Sequence, residues 1–516
     1  MNDSVCLVSF DTDRVKDYVF ATPDLKKIRG GSALLEILNK EDICRIVRDT
    51  CRTASYEIPN GHIITGGGTA MVRVPTADLA EQVIVAVERA YRQMTVNGTI
   101  TGAYLEIPEV DLHTEAFGQR VVELGARLRR IKDGKGYEPA VPLAAYLRQC
   151  NACGRYPAFR LDPDEPGQTL CRSCWKKHNW NRTGRNLFHS QFEQFIGERK
   201  EAGQIWAKFS FPEDLHDIGC VSRPPGYVGF IFADGNRMGS MLRKMPDFSS
   251  YHRFATGLDE LVRRVTCSAL LNVFVEPRRD IAPFEILLMG GDDLMLIVAA
   301  DAALDVALAI TESFEAQAKQ LAGEVGLPDH LSLSAGVVIA HEKFPIQTMH
   351  DLASDLLKRA KRASCELDHV GTIDFMVVTE AATAGVDAIR SHVLTDETFI
   401  VPASRGQEFL LTERPYTVDQ LRKLLHYAGR FKRTFPRASL QAMYEALFLS
   451  KIQAQLVTLT TLARAKREQR ELAWEFFREF KVSQESLPWR EDKKQAGRFF
   501  TPLGDLVEIY PFVRRV

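Results

Sequence analysis

The chain repeats itself. VCLVSFDTDRV (5–15) and VGFIFADGNRM (228–238) are both strand-like runs ending in a polar turn that carries an aspartate. Superimposing Asp11 on Asp234 places Asp13 on Asn236 and Arg14 on Arg237. Downstream, HIITGGGTAMVRV (62–74) matches EILLMGGDDLMLIV (285–298) about its glycines. Asp11 stands 55 residues before Gly66 and Asp234 stands 56 before Gly290, so two independent matches share nearly one offset. After each glycine pair come a stretch with apolar positions at helical spacing, a strand (99–107; 331–340) and a basic helix. Such self-similarity predicts two copies of one unit. Its order is strand, helix, strand–turn–strand, helix, strand, helix. That suits a small α+β domain with helices on one sheet face, of the split βαβ kind.

The copies differ at the hairpin. The second has Asp292 and Asp293 where the first has Gly68 and Thr69. The first copy shows that a turn needs no carboxylates here, so the aspartates call for a chemical reason. Buried carboxylates are costly unless paired or holding a cation. If the strand ending at Ala233 lies beside the 285–298 hairpin, Asp234, Asp292 and Asp293 converge at one sheet edge. Like charges so placed raise one another's pKa. Oxygen ligands suit a hard divalent ion, Mg²⁺ or Mn²⁺, and two such ions can serve phosphoryl transfer. Gly290 and Gly291 would let triphosphate oxygens approach the backbone. Lys361, on the helix after the last strand, is placed to meet a phosphate or to line a solvated basic face.

A second cluster is independent of the first. CNACGRYPAFRLDPDEPGQTLCRSCWKKH (150–178) holds two C-x2-C knuckles, Cys150 and Cys153, then Cys171 and Cys174. That spacing predicts a tetrahedral four-thiolate Zn²⁺ site of structural type. His178 is close in sequence, but four thiolates already saturate the ion. The next stretch, WKKHNWNRTGRN, is basic with two tryptophans and reads equally as an RNA contact or a solvated linker.

Composition narrows the classes. At 516 residues the chain exceeds one core, and its net charge of −1 gives no whole-chain attraction to nucleic acid or membrane. The first residues have no signal-peptide pattern, and no run reaches the ~20 apolar residues needed to span a bilayer. The other six cysteines sit singly, as reduced thiols do, and a cytoplasmic protein is expected.

DGNRMG (234–239), GGDD (290–293), LSAGVVIAHEKFPI (333–346) and LLKRAK (356–361), with RPYTVDQLRKLL (414–425) and TPLGDLVEIY (501–510), resemble the palm-polymerase large subunit of type III CRISPR effector complexes. The resemblance covers nearly the whole chain. It implies two ferredoxin-like palm domains, the first catalytically empty, with a zinc module between and a helical domain after. The implied boundaries are 1–148 for the first palm, 149–182 for the zinc module and 183–225 for a helical linker. The second palm follows at 226–380 and the C-terminal helical domain at 381–516.

The implied activity joins ATP into cyclic oligoadenylate second messengers by 3′–5′ bonds. Asp234, Asp292 and Asp293 would hold two Mg²⁺ or Mn²⁺ ions, with Gly235, Asn236, Gly290, Gly291 and Lys361 around the nucleotide. Implied partners are other effector subunits and guide or target RNA, with no membrane. Two positions depart from the family pattern: Asn236 stands for an acid, and Met289 stands where a small residue is common. The early His-Asp pair of the family's nuclease domain is missing, so no HD-type DNA cleavage is expected. His216–Asp217 and His350–Asp351 are expected to be incidental. Two other readings stay open, an RNA-binding scaffold subunit and a GGDEF-like diguanylate cyclase.

Overall fold

Both strand-like runs form the central strand of a sheet. The computed structural model describes residues 4–135, 147–327, 330–378, 385–390 and 407–514. The first unit runs β1 (Ser4–Asp13), α1 (Val15–Val19), α2 (Leu25–Ile37), α3 (Ile43–Thr53), β2 (Ile63–Gly66), β3 (Thr69–Val74), α4 (Ala77–Thr95), β4 (Thr99–Pro108) and α5 (Ala116–Gly134). Its sheet order is β2-β3-β1-β4, antiparallel throughout.

The cysteine segment adds β5 (Arg160–Leu161), β6 (Thr169–Leu170) and α6 (Arg172–Gly197), followed by α7 (Lys200–Ile205) and α8 (Leu215–Cys220). The second unit runs β7 (Tyr227–Gly235), α9 (Met238–Leu242), α10 (Phe248–Val273), β8 (Phe284–Gly290), β9 (Asp293–Ala299), α11 (Ala303–Glu324), β10 (Leu333–His341), α12 (Ile346–Glu366) and β11 (Thr372–Val377). Its strands β8-β9-β7-β10 repeat the order of the first sheet.

The repeat extends to details of the chain path. Asp24 caps α2 and Asp247 caps α10, each accepting from a backbone N–H of the first turn. Arg14 and Arg237, just before α1 and α9, are both left-handed, at φ 48° and 58°.

One expectation is overturned. In the second unit the last helix does not share a sheet face with the one before it. Gly229 makes room for Ala303 of α11, whereas Gly336 makes room for the Ala353 carbonyl of α12. Gly336 lies opposite Phe232, so it shares a face with Phe232 and not with Gly229. Helices therefore cover both faces. The physical cause is legible in β7, whose Val228–Ala233 run is buried without alternation.

One expected boundary falls within a continuous element. The division at 182/183 falls inside α6, a continuous helix that packs on α2 where Gly30 admits the Lys177 carbonyl. Farther along, Phe192 of the same helix meets Phe284 of β8, with ring centroids 4.9 Å apart. The division at 380/381 lies outside the described residues. Past it come α13 (Val386–Ile389), β12 (Glu408–Leu410), β13 (Tyr416–Thr417), α14 (Val418–Thr434), α15 (Arg437–Leu447), α16 (Lys451–Arg464), α17 (Arg467–Glu479), β14 (Arg490–Glu491), β15 (Arg498–Phe500) and α18 (Pro502–Ile509). β13 joins the second palm sheet beside β11, so the mostly helical C-terminal region is built onto that sheet. Among the described residues, no helix is long and apolar enough to cross a membrane.

The two units face each other about an approximate two-fold. Phe20, closing α1, stacks on His350 of α12 with centroids 4.5 Å apart, and Gln347 donates to the Phe20 carbonyl. The mirrored contact sets Gly118 of α5 against the Arg243 carbonyl after α9. Arg29 of α2 grips Glu285 of β8 through two hydrogen bonds of 2.7 Å, both side chains buried. Breaking such a pair from one side would leave an uncompensated buried charge.

Candidate active site

Each unit carries a hairpin with a two-residue loop. In the second, Gly290 pairs with Asp293, and Gly291 (φ +61°) and Asp292 form the turn. Positive φ at the first loop residue only is what a type II′ turn requires. In the first, Gly66 pairs with Thr69, and Gly67 (φ +55°) and Gly68 (φ +82°) are both left-handed, as in type I′. Asp292 therefore sits in a turn position that its counterpart Gly68 fills without a side chain.

The tips of the two hairpins touch. A Cβ on Gly67 would lie 3.0 Å from the Gly291 Cα, and one on Gly291 would lie 2.8 Å from the Gly67 Cα. Asp259 of α10 accepts the Gly291 N–H at 3.2 Å. Lys40, just after α2, donates to Asp259 at 2.8 Å and also pairs with Glu36 at 2.7 Å. Glu36 and Asp259 occupy matching positions on α2 and α10, so a single ammonium holds two mirrored carboxylates beneath the tips.

At the end of β7, Asp234 is next to the Ala233–Leu294 pair, which brings it alongside Asp293 on β9. Asp292 reaches the Asp234 carboxyl within hydrogen-bonding range. Gly235 permits this approach, since a Cβ there would stand 2.9 Å from Asp292 Oδ2. Burial, then repulsion from Asp234 and Asp293, pushes the Asp292 carboxyl well above its ordinary range. Burial and Asp234 push Asp293 up to about 6, against the pull of Lys16 and Lys361. Lys361 donates to Asp234 and, at 2.9 Å, to the Gly235 carbonyl.

The convergence is tighter for two of the aspartates than for three. Among the described residues, two groups bring three or more candidate ligand atoms within 4.8 Å of one another. They are the four cysteines and the set Asp162, Asp164 and His178; the three aspartates are not such a group. Asp162 is already bridged by the buried ammonium of Lys27 at 3.0 Å. The aspartates nevertheless suit a hard cation, because they are oxygen donors whose burial and mutual repulsion leave them short of positive charge.

The four cysteine sulfurs fit zinc closely. Zn–S bonds of about 2.3 Å in a tetrahedron separate sulfurs by about 3.8 Å. Cys153 and Cys171 stand 3.8 Å apart, and Cys171 also caps α6.

Other expected residues are placed as follows. Gly290 and Gly291 are at the hairpin tip. Asn236 is turned inward, 4% exposed, and donates to Ser332 Oγ at 2.8 Å. Met289 is buried beside the glycines. His350 packs between Phe20 and Phe232, and exposed His216 pairs with Glu342 at 2.7 Å. His350 also meets its neighbour Asp351 at 3.0 Å, and neither dipeptide belongs to a cluster of three candidate ligands among the described residues.

The basic stretches are largely engaged within the chain. Lys177 is buried and donates to the Tyr18 carbonyl. Arg430 pairs with Glu475, and Lys432 donates to the Pro511 and Val513 carbonyls.

Sequence reasoning missed Lys132. On α5 it bonds Asp11 at 2.5 Å and the Thr12 carbonyl at 3.2 Å, reproducing the contacts of Lys361 in the other unit. Aligning the C-terminal ends of the two basic helices would have found it.

Residues 227–367 match the family described as Cas10/Cmr2, second palm domain. Residues 227–367 thus carry a Cas10/Cmr2-like second palm. The CRISPR system Cmr subunit Cmr2 of Pyrococcus furiosus is 30% identical over 152 residues, covering 27% of this chain and 17% of that protein. The aligned part thus spans about a sixth of that relative's length. The Cas10-like fold extends much farther. Csm1 of T. onnurineus superposes with a TM-score of 0.59 at 15% identity, covering 99% of this chain and 70% of that one. A Csm1–Csm4 cassette solved with cA4 superposes at 0.58 with 14% identity, covering 99% and 70%. A Csm1–Csm4 cassette solved with one ATP gives 0.59 at 15% identity, with the same coverage.

Proposed function

We propose that this Cas10-like chain is a nucleotidyltransferase that joins ATP into cyclic oligoadenylate by 3′–5′ phosphodiester formation, as part of type III CRISPR defence. The observation that carries the reading is the charge-starved Asp234–Asp292–Asp293 group, built at one of two otherwise matching hairpins. Solved Csm1–Csm4 cassettes of the same fold hold ATP, pppApA, cA3 and cA4, which supports the substrate class.

The three aspartates would hold two Mg²⁺ or Mn²⁺ ions, with Gly235, Gly290, Gly291 and Lys361 around the nucleotide and Asn236, turned inward, bracing the turn through Ser332. Bound there, such ions offset phosphate charge and favour ionisation of an attacking hydroxyl. The chain's own contribution is placement. Gly290 and Gly291 let the acidic hairpin pass close against the tip of the first palm, which sets the acids at the interface. Lys361 keeps positive charge against Asp234 and is free to turn toward a phosphate when cations take its place. The first palm supplies the opposing wall, so one chain presents both faces that a nucleotide pair needs.

The four cysteines would hold a structural Zn²⁺, and metal analysis of the purified chain should find about one zinc per molecule. A Csm4-like subunit and target RNA are the proposed partners. The deciding experiment incubates the chain, alone and with a cognate effector complex and target RNA, with each labelled nucleoside triphosphate and Mg²⁺ or Mn²⁺. Adenylate oligomers made by the wild type and lost in Asp292→Ala/Asp293→Ala support the reading. Oligomers made equally by the variant remove it, as does their absence from wild type with the complex and RNA present.

A further inference from the structure

Lys16 belongs to the first palm by sequence but lies against the second. It follows β1 on α1, and its Nζ stands 4.1 Å from the centroid of Phe232 on β7. Phe232 precedes Asp234 by two residues and so shares its sheet face. Asp293, beside Asp234 on the neighbouring strand, faces the same way. Lys16 is therefore on the acidic face of the second palm.

Lys16 is a half-buried residue, and among the described residues its ammonium has no carboxylate or carbonyl partner. Lys361, in contrast, is bound to both Asp234 and the Gly235 carbonyl. Holding a lysine's head group over a ring near acids, without an ion pair, costs side-chain freedom and returns little in the ligand-free protein. A phosphate group would complete it.

The internal repeat supplies a control. The position on α9 that matches Lys16 is Gly239, and the hairpin position it would serve in the first palm is Thr69 rather than an aspartate. The cation and the carboxylates thus occur together at one of two equivalent places. A general surface lysine would have no reason to follow the acids.

Resting on the nucleotide reading above, we propose that Lys16 reaches across the palm interface to bind a phosphate of the nucleotide seated at the GGDD hairpin. The site is then composite: acids and Lys361 come from the second palm, a second cation from the first.

The test measures equilibrium binding of ATP and of adenosine to the full chain in Mg²⁺, for wild type, Lys16→Met and Lys16→Arg. One charge-assisted hydrogen bond corresponds to about tenfold or more in affinity. Lys16→Met should lose about that much for ATP and nothing for adenosine, and Lys16→Arg should recover most of it. Wild-type ATP affinity in Lys16→Met overturns the assignment. So does equal loss for ATP and adenosine, or equal loss in both variants, which would mark a packing role. Failure of the wild type to bind ATP overturns it as well. Binding of this pattern without any oligoadenylate formation leaves Lys16 assigned and removes the cyclase reading instead.

Discussion

The two palms share a chain path but differ in how well their charges are matched. In the first, Asp11 and Asp13 both face Lys132, Lys135 pairs with Asp13 and Glu88, and the hairpin adds no acid. In the second, Asp234, Asp292 and Asp293 share Lys361, and Asp293 also lies in the field of Lys16. The first is a closed set of ion pairs; the second is left acidic. The difference teaches that one chain path can carry either a closed set of ion pairs or an acidic cluster. Two hairpin positions and one extra lysine contact separate the two.

That contrast can be broken in several ways. The largest effect is expected on activity: Asp292→Ala/Asp293→Ala should lower oligoadenylate synthesis by at least about a thousandfold, while Asp11→Ala/Asp13→Ala should leave it within about tenfold. Equal losses would erase the distinction between the palms.

Next is stability without metal. A carboxyl raised from 3.8 to about 6 lowers stability by up to about 3 kcal/mol, since the folded state holds its proton more tightly than the unfolded. The stability is fully present below pH 3.8 and is lost as pH rises through about 6. In the presence of a chelator, Asp293→Asn should therefore raise Tm at pH 7 and change it little at pH 4. Destabilisation at pH 7 would contradict the charge-starved site.

Third, Gly67→Ala and Gly291→Ala should each destabilise by about 2 kcal/mol, because both combine positive φ with a tip-to-tip clash. Denaturant midpoints that separate the two variants strongly would show that the tips do not bear on each other. The smallest effect is expected for Lys40→Met, about 1 kcal/mol, from leaving Glu36 and Asp259 facing each other. Burial, partly offset by Lys40, already raises the Glu36 carboxyl, so this cost should shrink in acid as Glu36 takes up a proton.

Much of this was legible in the sequence because it depends on local rules. Strand periodicity, turn glycines and the paired Cys-x2-Cys spacing each act within a short window, and each reappears in the structure. The offset between Asp11 and Asp234 also placed the acids at one sheet edge. What escaped was decided between elements. The side of the sheet chosen by α12 depends on both faces of β7 being buried. The continuity of α6 depends on its packing along α2, not on its own composition. Asn236 turned inward because Ser332 offers a partner from another strand. Lys16 and the Glu36–Lys40–Asp259 set act across the palm interface, where no spacing along the chain would signal a meeting.

The meeting of Gly67 with Gly291 has a consequence for inheritance. A duplicated copy without the hairpin acids would be free to drift if it stood apart, but here its tip is the anvil beneath the acidic one. Any constraint on the acidic hairpin therefore reaches residue 67 through space, and the first copy is held to its shape by contact.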